Sequence, residues 1–261
     1  MLTGFKLLFR HRRILWATTL NDIKGRYAGT TFGLAWTVLY PLLFLGLYAV
    51  VYIVIFQIRV GQMSTFGYVL LIFAGLIPFL GFSEALGGAI ASVTSNKALL
   101  NNTLFPIELI PVKAVFVSSI TMLTGLCMLQ MILWAQGILY ITQLLVPIIL
   151  ILQFIFTLGL MWLLSALNVF FKDLTQMIGV VILFLMLISP IAYTAEMIPP
   201  NLLPLMYPNP LYYLIMLYRE SMMTGQAPLD LLIVFTAIAF LTFWLGFYFF
   251  SRLKQVFADY V

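Results

Sequence analysis

The sequence predicts an all-α, polytopic membrane protein with six transmembrane helices, and three observations lead to this class. Apolar residues make up 64% of the 261 residues and charged residues only 8%. The mean hydropathy is +1.12, a value that ordinary soluble domains do not reach. Residues 27–58 and 114–171 carry no charged side chain. Because about 20 apolar residues in a helix cross a bilayer, the first stretch holds one crossing and the second holds two.

Residues 1–30 form a basic cytoplasmic segment ahead of the first span. Six of the thirteen Lys and Arg lie before Tyr27, against a single acid, Asp22. Such an excess of positive charge beside a first span holds that end of the chain in the cytoplasm. Apolar residues are mixed with the basic ones over 6–27, which is typical of an amphipathic helix at the membrane interface. A topology signal alone, or an added docking or phosphate-binding role, would explain the charge.

Residues 31–261 form the six-span transmembrane domain, in which the remaining charges mark the turns. Five of the twelve prolines fall within 196–213, and that many prolines break a straight helix. We therefore expect short re-entrant helices between the last two spans. Eleven Lys and Arg fall on one side of this arrangement, so both ends of the chain are predicted to be cytoplasmic. The predicted spans are 33–56, 66–93, 114–135, 145–168, 177–195 and 231–250.

Groups that carry out catalysis are scarce. The sequence has one histidine, no clustered metal ligands and no G-x-x-x-x-G-K-[ST] phosphate loop. We expect no enzymatic activity, metal site, cofactor or nucleic-acid partner for this chain, so uphill transport would need a separate ATPase. Glu84 is the only acid or base inside a predicted span, which makes it a functional candidate. A glutamate that hydrogen-bonds neighbouring helices near the interface is the alternative.

Residues 95–113 form the one substantial inner loop. Its mixture of polar and apolar residues suits a short helix that docks on a soluble partner, because an interface buries apolar anchors. A connector that lies on the membrane surface is the alternative. The residues selected as candidates for docking are Leu99, Leu100, Leu104, Phe105, Pro106 and Glu108.

A series of motifs along nearly the whole chain resembles the membrane subunits of ATP-binding-cassette exporters for polysaccharides and polyol phosphates. That family includes O-antigen, capsule and teichoic-acid permeases. Each motif alone is weak, but their order and spacing are specific for the family. The motifs are Asp22-Ile23-Lys24-Gly25-Arg26-Tyr27, Gly33-Leu34-Ala35-Trp36, Tyr40-Pro41-Leu42, Gly75-Leu76-Ile77-Pro78-Phe79, Phe82-Ser83-Glu84-Ala85-Leu86, Phe105-Pro106, Leu109-Ile110-Pro111, Phe171-Lys172-Asp173-Leu174, Ser189-Pro190-Ile191, Asn209-Pro210-Leu211 and Tyr218-Arg219.

The resemblance implies a homodimer bound to two ATPase subunits, which hold ATP and Mg²⁺, with a polymer moving between the two membrane protomers. It also implies that the inner loop contacts the ATPase. We expect export of a lipid-linked cell-surface polysaccharide across a bacterial inner membrane. An exporter of the same architecture for a drug or lipid is one alternative. An ion-coupled secondary transporter, from a different class, is the other.

Two sets of residues are candidates for contact with such a cargo. Arg10, Arg12, Arg13, Lys24 and Arg26 would meet the pyrophosphate of a lipid-linked polymer at the inner surface. Trp36, Tyr40, Phe44 and Tyr48 are spaced by four, so they form a slowly winding stripe along the first span. Aromatic faces pack against the C–H faces of sugars, and Tyr and Trp also bond hydroxyls. Packing residues or interface anchors would show the same spacing.

Overall fold

The computed structural model describes residues 2–55, 57, 64–96, 106–193, 197–199, 201 and 203–260. Within these residues the chain is built from helices joined by short turns. The α-helices are α1 (Leu2–Arg10), α2 (Arg12–Tyr27), α3 (Trp36–Ala49), α4 (Thr65–Ala89), α5 (Ser92–Ser95), α6 (Leu109–Ala135), α7 (Val146–Phe170), α8 (Asp173–Ile188), α9 (Pro210–Arg219), α10 (Leu229–Leu253) and α11 (Phe257–Tyr260).

Five helical segments of the described chain are long and apolar enough to cross a membrane. They confirm the predicted class, an all-α polytopic membrane protein. The first segment joins a 3-10 turn, α3 and a π-helical turn, Val50–Ile55, into one rod. The five segments are Gly33–Ile55, Thr65–Ala89, Leu109–Ala135, Ile141–Phe170 and Leu229–Val256.

The predicted fifth span, 177–195, differs from the structure at both ends. The helix found there, α8, has 16 residues, and at 1.5 Å per residue it is about 24 Å long, shorter than the roughly 30 Å of a hydrocarbon core. It ends before Ser189, whose backbone is extended with ψ 142°, because the following Pro190 disfavours helical backbone at that position. That α8 crosses the membrane stays a prediction.

The proline-rich segment before α10 contains short helical pieces instead of a straight span. The described part includes a 3-10 turn, Leu203–Leu205, and α9, which runs into a π-helical turn, Glu220–Thr224. Side chains of the turn between α6 and α7 bond to that π-helical turn: the Thr142 hydroxyl donates to Ser221 O at 2.8 Å and Gln143 Nε2 donates to Met222 O at 3.1 Å. How deep these pieces lie in the membrane stays a prediction.

Helix α4 lies at the centre of the bundle, since 83% of its most apolar window is buried. It contacts α3, α6, α7, α8 and α9. A short polar chain joins it to two of them: Gln153 Nε2 donates to Pro78 O at 2.9 Å and the Tyr218 hydroxyl donates to Gln153 Oε1 at 2.9 Å. All three groups are buried. Because an unpaired polar group is costly away from water, these bonds fix how α4, α7 and α9 pack.

Helices α7 and α10 approach each other closely enough for their backbones to touch. At the crossing, a Cβ atom on Gly246 would overlap the carbonyl oxygen of Gly159, and one on Gly159 would overlap the backbone of Phe243. Small residues permit such close packing where the hydrophobic effect between helices is weak. Glycine is therefore required at both positions.

The first span and α8 have few contacts within the chain. Only 6% of the most apolar window of Gly33–Ile55 is buried, and none of the residues of α8 is buried. Leu43 and Val54 of the first span and Val180 of α8 are between 61% and 71% exposed. In a membrane these apolar faces contact lipid or another protein.

The basic N-terminal segment forms two helices instead of the single interface helix expected over 6–27. The helix is interrupted at His11, whose backbone is not helical. Helix α1 packs on α10, where the rings of Phe5 and Phe243 stack with centroids 4.5 Å apart. Helix α2 is tied to α6 by an ion pair of 2.8 Å between Asp22 Oδ2 and Lys113 Nζ. Helix α1 is thus attached to the middle of α10, and α2 is attached to the start of α6.

Candidate functional site

An ion pair between Arg26 and Glu84 lies where α2, the first span and α4 meet. Arg26 is in the last turn of α2 and Glu84 is near the end of α4. The Glu84 side chain is 14% exposed and that of Arg26 is 37% exposed, so the pair is shielded on the bundle side and reachable on the other. Glu84, the carboxylate inside a predicted span, is thus paired with a cation of the N-terminal segment.

Two clefts meet at this ion pair, and both residues line both of them. The larger cleft has a volume of about 570 Å³ and lies against α2 and the first part of α6. Its other lining residues are Asn21, Asp22, Gly25, Gly88, Ala114, Val117 and Ser118. The smaller, about 250 Å³, adds the first span, and its other lining residues are Tyr27, Trp36, Tyr40 and Thr121. The structure therefore brings together Arg26, Glu84 and two aromatic candidates, which the sequence places in three separate groups.

The predicted aromatic stripe is present along the first span and is longer than expected. The Tyr40 and Phe44 rings are 4.9 Å apart. Phe32 extends the stripe at one end, 5.7 Å from Trp36, and Tyr52 extends it at the other, stacked 5.8 Å from Tyr48. Tyr40 is 39% exposed, whereas Phe44 and Tyr48 pack partly against the core. That these rings line a conduit stays a prediction.

The other basic candidates do not gather around Arg26. Arg10, Arg12, Arg13 and Lys24 are exposed along α1 and α2. Arg12 is held locally, since its guanidinium donates to Phe9 O at 3.0 Å and lies 4.4 Å from the Phe9 ring. Of the five, Arg26 is the one that lines the two clefts.

Most of the candidates in the inner loop lie outside the described residues. These are Leu99, Leu100, Leu104 and Phe105. Pro106 is half-buried and Glu108 is buried. Glu108 Oε1 lies 2.6 Å from Lys254 Nζ, and its backbone oxygen accepts a hydrogen bond of 2.9 Å from Trp162 Nε1. The end of the inner loop is therefore bonded to α7 and to the residues that follow α10.

Arg219 is a buried cation that the sequence analysis names only within the Tyr218-Arg219 motif and does not select as a site residue. It is 4% exposed. Its guanidinium donates to three carbonyl oxygens, with Nε 3.3 Å from Leu71 O, Nη1 2.9 Å from Tyr193 O, and Nη2 bonded to Ile191 O. Gly75 leaves the space that this side chain fills, since a Cβ there would lie 3.1 Å from Nη2. The available signal was the position of Arg219 at the end of an apolar helix.

Arg219→Met is expected to lower the stability of the protein by about 2 kcal/mol, because Ile191 O and Tyr193 O would lose their donor while buried. Thermal unfolding of the purified protein in detergent, followed by the loss of its monodisperse chromatographic peak, measures the change. Arg13→Met, at an exposed position, is the control and should leave the midpoint unchanged. Equal midpoints for both variants would contradict a stabilising role for Arg219.

Within the described residues no group of three or more His, Cys, Asp or Glu side chains is placed to hold a metal ion. The polar groups of the site are the Arg26–Glu84 ion pair, the Asn21 amide, the Asp22 carboxylate that pairs with Lys113, hydroxyls and aromatic rings. Such a set can bind a charged or hydroxylated ligand and hold it beside an apolar surface.

Comparison with known proteins gives consistent matches over the chain. The sequence profile of the family described as ABC-2 type transporter matches residues 14–223. The O-antigen export system permease protein RfbA of Klebsiella pneumoniae is 28% identical over 248 residues, which cover 94% of each chain. A second Klebsiella pneumoniae protein of that name is 26% identical over 94% of each chain. The protein of that name from Myxococcus xanthus is 24% identical over 97% of this chain and 96% of its own.

Proposed function

The chain belongs to the ABC-2 type transporter family, and on that basis we propose that it is the membrane subunit of an exporter for a lipid-linked cell-surface polysaccharide, such as O-antigen, in a bacterial inner membrane. One observation carries the choice of cargo: the similarity to permeases named for O-antigen export extends over 94% or more of the chain. The likeness is therefore to nearly the full length of these permeases.

The energy for export would come from a partner. The sequence contains no phosphate loop of the G-x-x-x-x-G-K-[ST] type, and a transport subunit of this family works with an ATPase. We propose that two copies of an ABC ATPase hold ATP and Mg²⁺ and dock on the inner loop. Glu108 would relay their movement, since it bonds to α7 and to Lys254.

A homodimer is the proposed assembly, with the path for the polymer between its two copies. The weakly buried first span and the exposed α8 support it, because a second copy would cover part of their apolar surface. Both ends of the chain would be cytoplasmic. This orientation is supported by the positive-charge excess of the N-terminal segment.

The Arg26 site would receive the cargo at the inner surface. Arg26 offers a planar set of donors to phosphate oxygens, and it lines both clefts of the site. Glu84 neutralises Arg26 while no phosphate is bound, so the cation need not stay unpaired beside the membrane. Beyond the ion pair, Trp36 and Tyr40 offer ring faces on which successive sugars would pack. These contacts would be weak, and a conduit requires weak contacts so that each sugar can leave again.

Replacing Tyr40 and Phe44 together by alanine is expected to slow export about tenfold while the transporter still assembles and binds ATP. Two sugar-packing surfaces would be lost, and if each contributes about as much as an aromatic pair, about 0.5–1.5 kcal/mol, the rate falls by this order. Surface polysaccharide appearing after induction, quantified over time, measures the rate. Phe249→Ala removes an aromatic ring that is 44% exposed on the last span and should leave the rate unchanged. Normal export by the double variant would remove these two rings from the path.

Purification of the chain together with an ABC ATPase from the same organism tests the proposed class. We expect a stable complex with two copies of each subunit, whose export activity stops when ATP hydrolysis is blocked by vanadate. A protein that purifies without an ATPase and transports under a proton or sodium gradient would contradict the proposal. Transport of a drug or lipid by an intact complex would support the proposed assembly but contradict the proposed polysaccharide cargo.

A further inference from the structure

A third cleft, of about 630 Å³, lies between α1 and the end of α10. It is separate from the Arg26 site, because none of its lining residues is shared with the two clefts there. Its lining residues are Leu7, Glu108, Trp244, Phe247, Tyr248, Ser251, Arg252, Lys254 and Gln255.

The charges of this cleft leave one cation for a ligand. Glu108 neutralises Lys254, to which it is paired at 2.6 Å. Among the residues that line the cleft and that the structure describes, Arg252 is the cation without a carboxylate partner. It is exposed, and its guanidinium lies 5.5 Å from the centre of the Tyr248 ring, which holds it at the cleft.

A buried hydroxyl next to this cation also lacks a partner. Ser251 Oγ is shielded from solvent and makes no hydrogen bond within the described part of the chain. A serine in a helix usually bonds to the carbonyl of the preceding turn when nothing else is available. An unsatisfied buried hydroxyl costs free energy, so a ligand that accepts a hydrogen bond from Ser251 would remove that cost.

The rest of the cleft is apolar and lies at the end of a transmembrane helix. Trp244 and Tyr248 stack with ring centroids 6.0 Å apart and are 44% and 45% exposed. Arg252 follows one turn later. Aromatic residues succeeded by a cation mark the level at which lipid headgroups meet acyl chains.

We propose that this cleft binds one anionic phospholipid. The phosphate accepts hydrogen bonds from the Arg252 guanidinium and the Ser251 hydroxyl, and the Gln255 amide donates to the remaining headgroup oxygens. An acyl chain lies along Trp244 and Phe247. Because Leu7 of α1 forms part of the wall, the bound lipid also fastens the N-terminal helix to the last span. The site is independent of the cargo, so it holds whether or not a polysaccharide is transported.

Native mass spectrometry of the full-length protein tests the site. The delipidated protein is mixed with equal amounts of phosphatidylglycerol and phosphatidylcholine that carry the same acyl chains. We expect the first lipid bound to be phosphatidylglycerol, by about fivefold over phosphatidylcholine. Arg252→Gln should reduce this preference to near one, and Arg252→Lys should retain most of it, because the charge is kept. Ser251→Ala should lower the preference for phosphatidylglycerol about half as much as Arg252→Gln does.

Lys172→Gln is the matched control, since it removes a cation from the turn between α7 and α8, outside the cleft. It should keep the fivefold preference, and all variants must first show the monodisperse peak of the wild type. Equal binding of the two lipids by the wild type, or an unchanged preference in Arg252→Gln, would overturn the proposal. Loss of bound phosphatidylglycerol in millimolar inorganic phosphate would assign the site to free phosphate instead.

Discussion

Replacing Gly246 by alanine is expected to prevent α7 and α10 from packing as they do in the native protein. The added methyl group would overlap the carbonyl oxygen of Gly159, which belongs to the backbone and cannot rotate away. Overpacking of a well-packed core costs about 1–3 kcal/mol when side chains can adjust, and a clash with backbone forces the helices themselves apart. We expect a midpoint of thermal unfolding well below that of the wild type, or no folded protein in the membrane fraction.

Gly179→Ala provides the control for this experiment. Gly179 is also inside a helix, but nothing lies within 4 Å of a Cβ at that position. Alanine is favoured over glycine in helices by about 0.5–1 kcal/mol, so Gly179→Ala should be neutral or slightly stabilising. Equal stability of Gly246→Ala and Gly179→Ala would contradict the backbone contact between α7 and α10 at Gly246.

Charge reversal at Glu84 is expected to produce the largest loss of export among single substitutions at the candidate site. In Glu84→Lys two cations face each other between α2 and α4. Breaking a fully buried ion pair costs about 3–5 kcal/mol, and the cost here is smaller because the Arg26 side chain is 37% exposed and solvent screens the pair. Even with this smaller cost, Glu84→Lys should reduce surface polysaccharide per transporter at least tenfold relative to the wild type.

The double variant Arg26→Glu, Glu84→Lys separates two roles of the site. It restores an ion pair, so the protein should recover the stability lost in Glu84→Lys. Export should nevertheless stay low, because the cation has moved from the exposed α2 to α4. Arg26→Lys keeps the charge but loses bidentate contact with phosphate, and it should retain topology and assembly while slowing export. Full export by the double variant would assign the pair to packing alone.

The helices could be predicted because a bilayer imposes a length and excludes charge. Long charge-free runs mark spans whatever their packing, and so the ends of most of them agree with the structure within a few residues. The main difference, at α8, has a local cause that the sequence contains, the Ser189-Pro190 pair. The aromatic stripe was likewise predictable, because it depends on the geometry of one helix.

Contacts between distant parts of the chain could not be predicted in this way. Arg26 and Glu84 are 58 residues apart and Glu108 and Lys254 are 146 apart, so each pairing depends on how whole helices pack. Hydropathy also misplaced Arg219, because it treats every arginine near the end of a span as solvated. The structure instead satisfies this arginine with backbone carbonyl oxygens, which have no signature in composition or charge.

The location of surface polysaccharide in a strain that lacks this chain tests the central proposal most directly. Polymer is quantified separately at the cell surface and inside the cell, in the deletion strain, in the complemented strain, and in a strain whose partner ATPase cannot hydrolyse ATP. Export through this chain predicts that polymer stays inside the cell in the first and third strains and returns to the surface in the second. Normal surface polymer in the deletion strain would contradict the account.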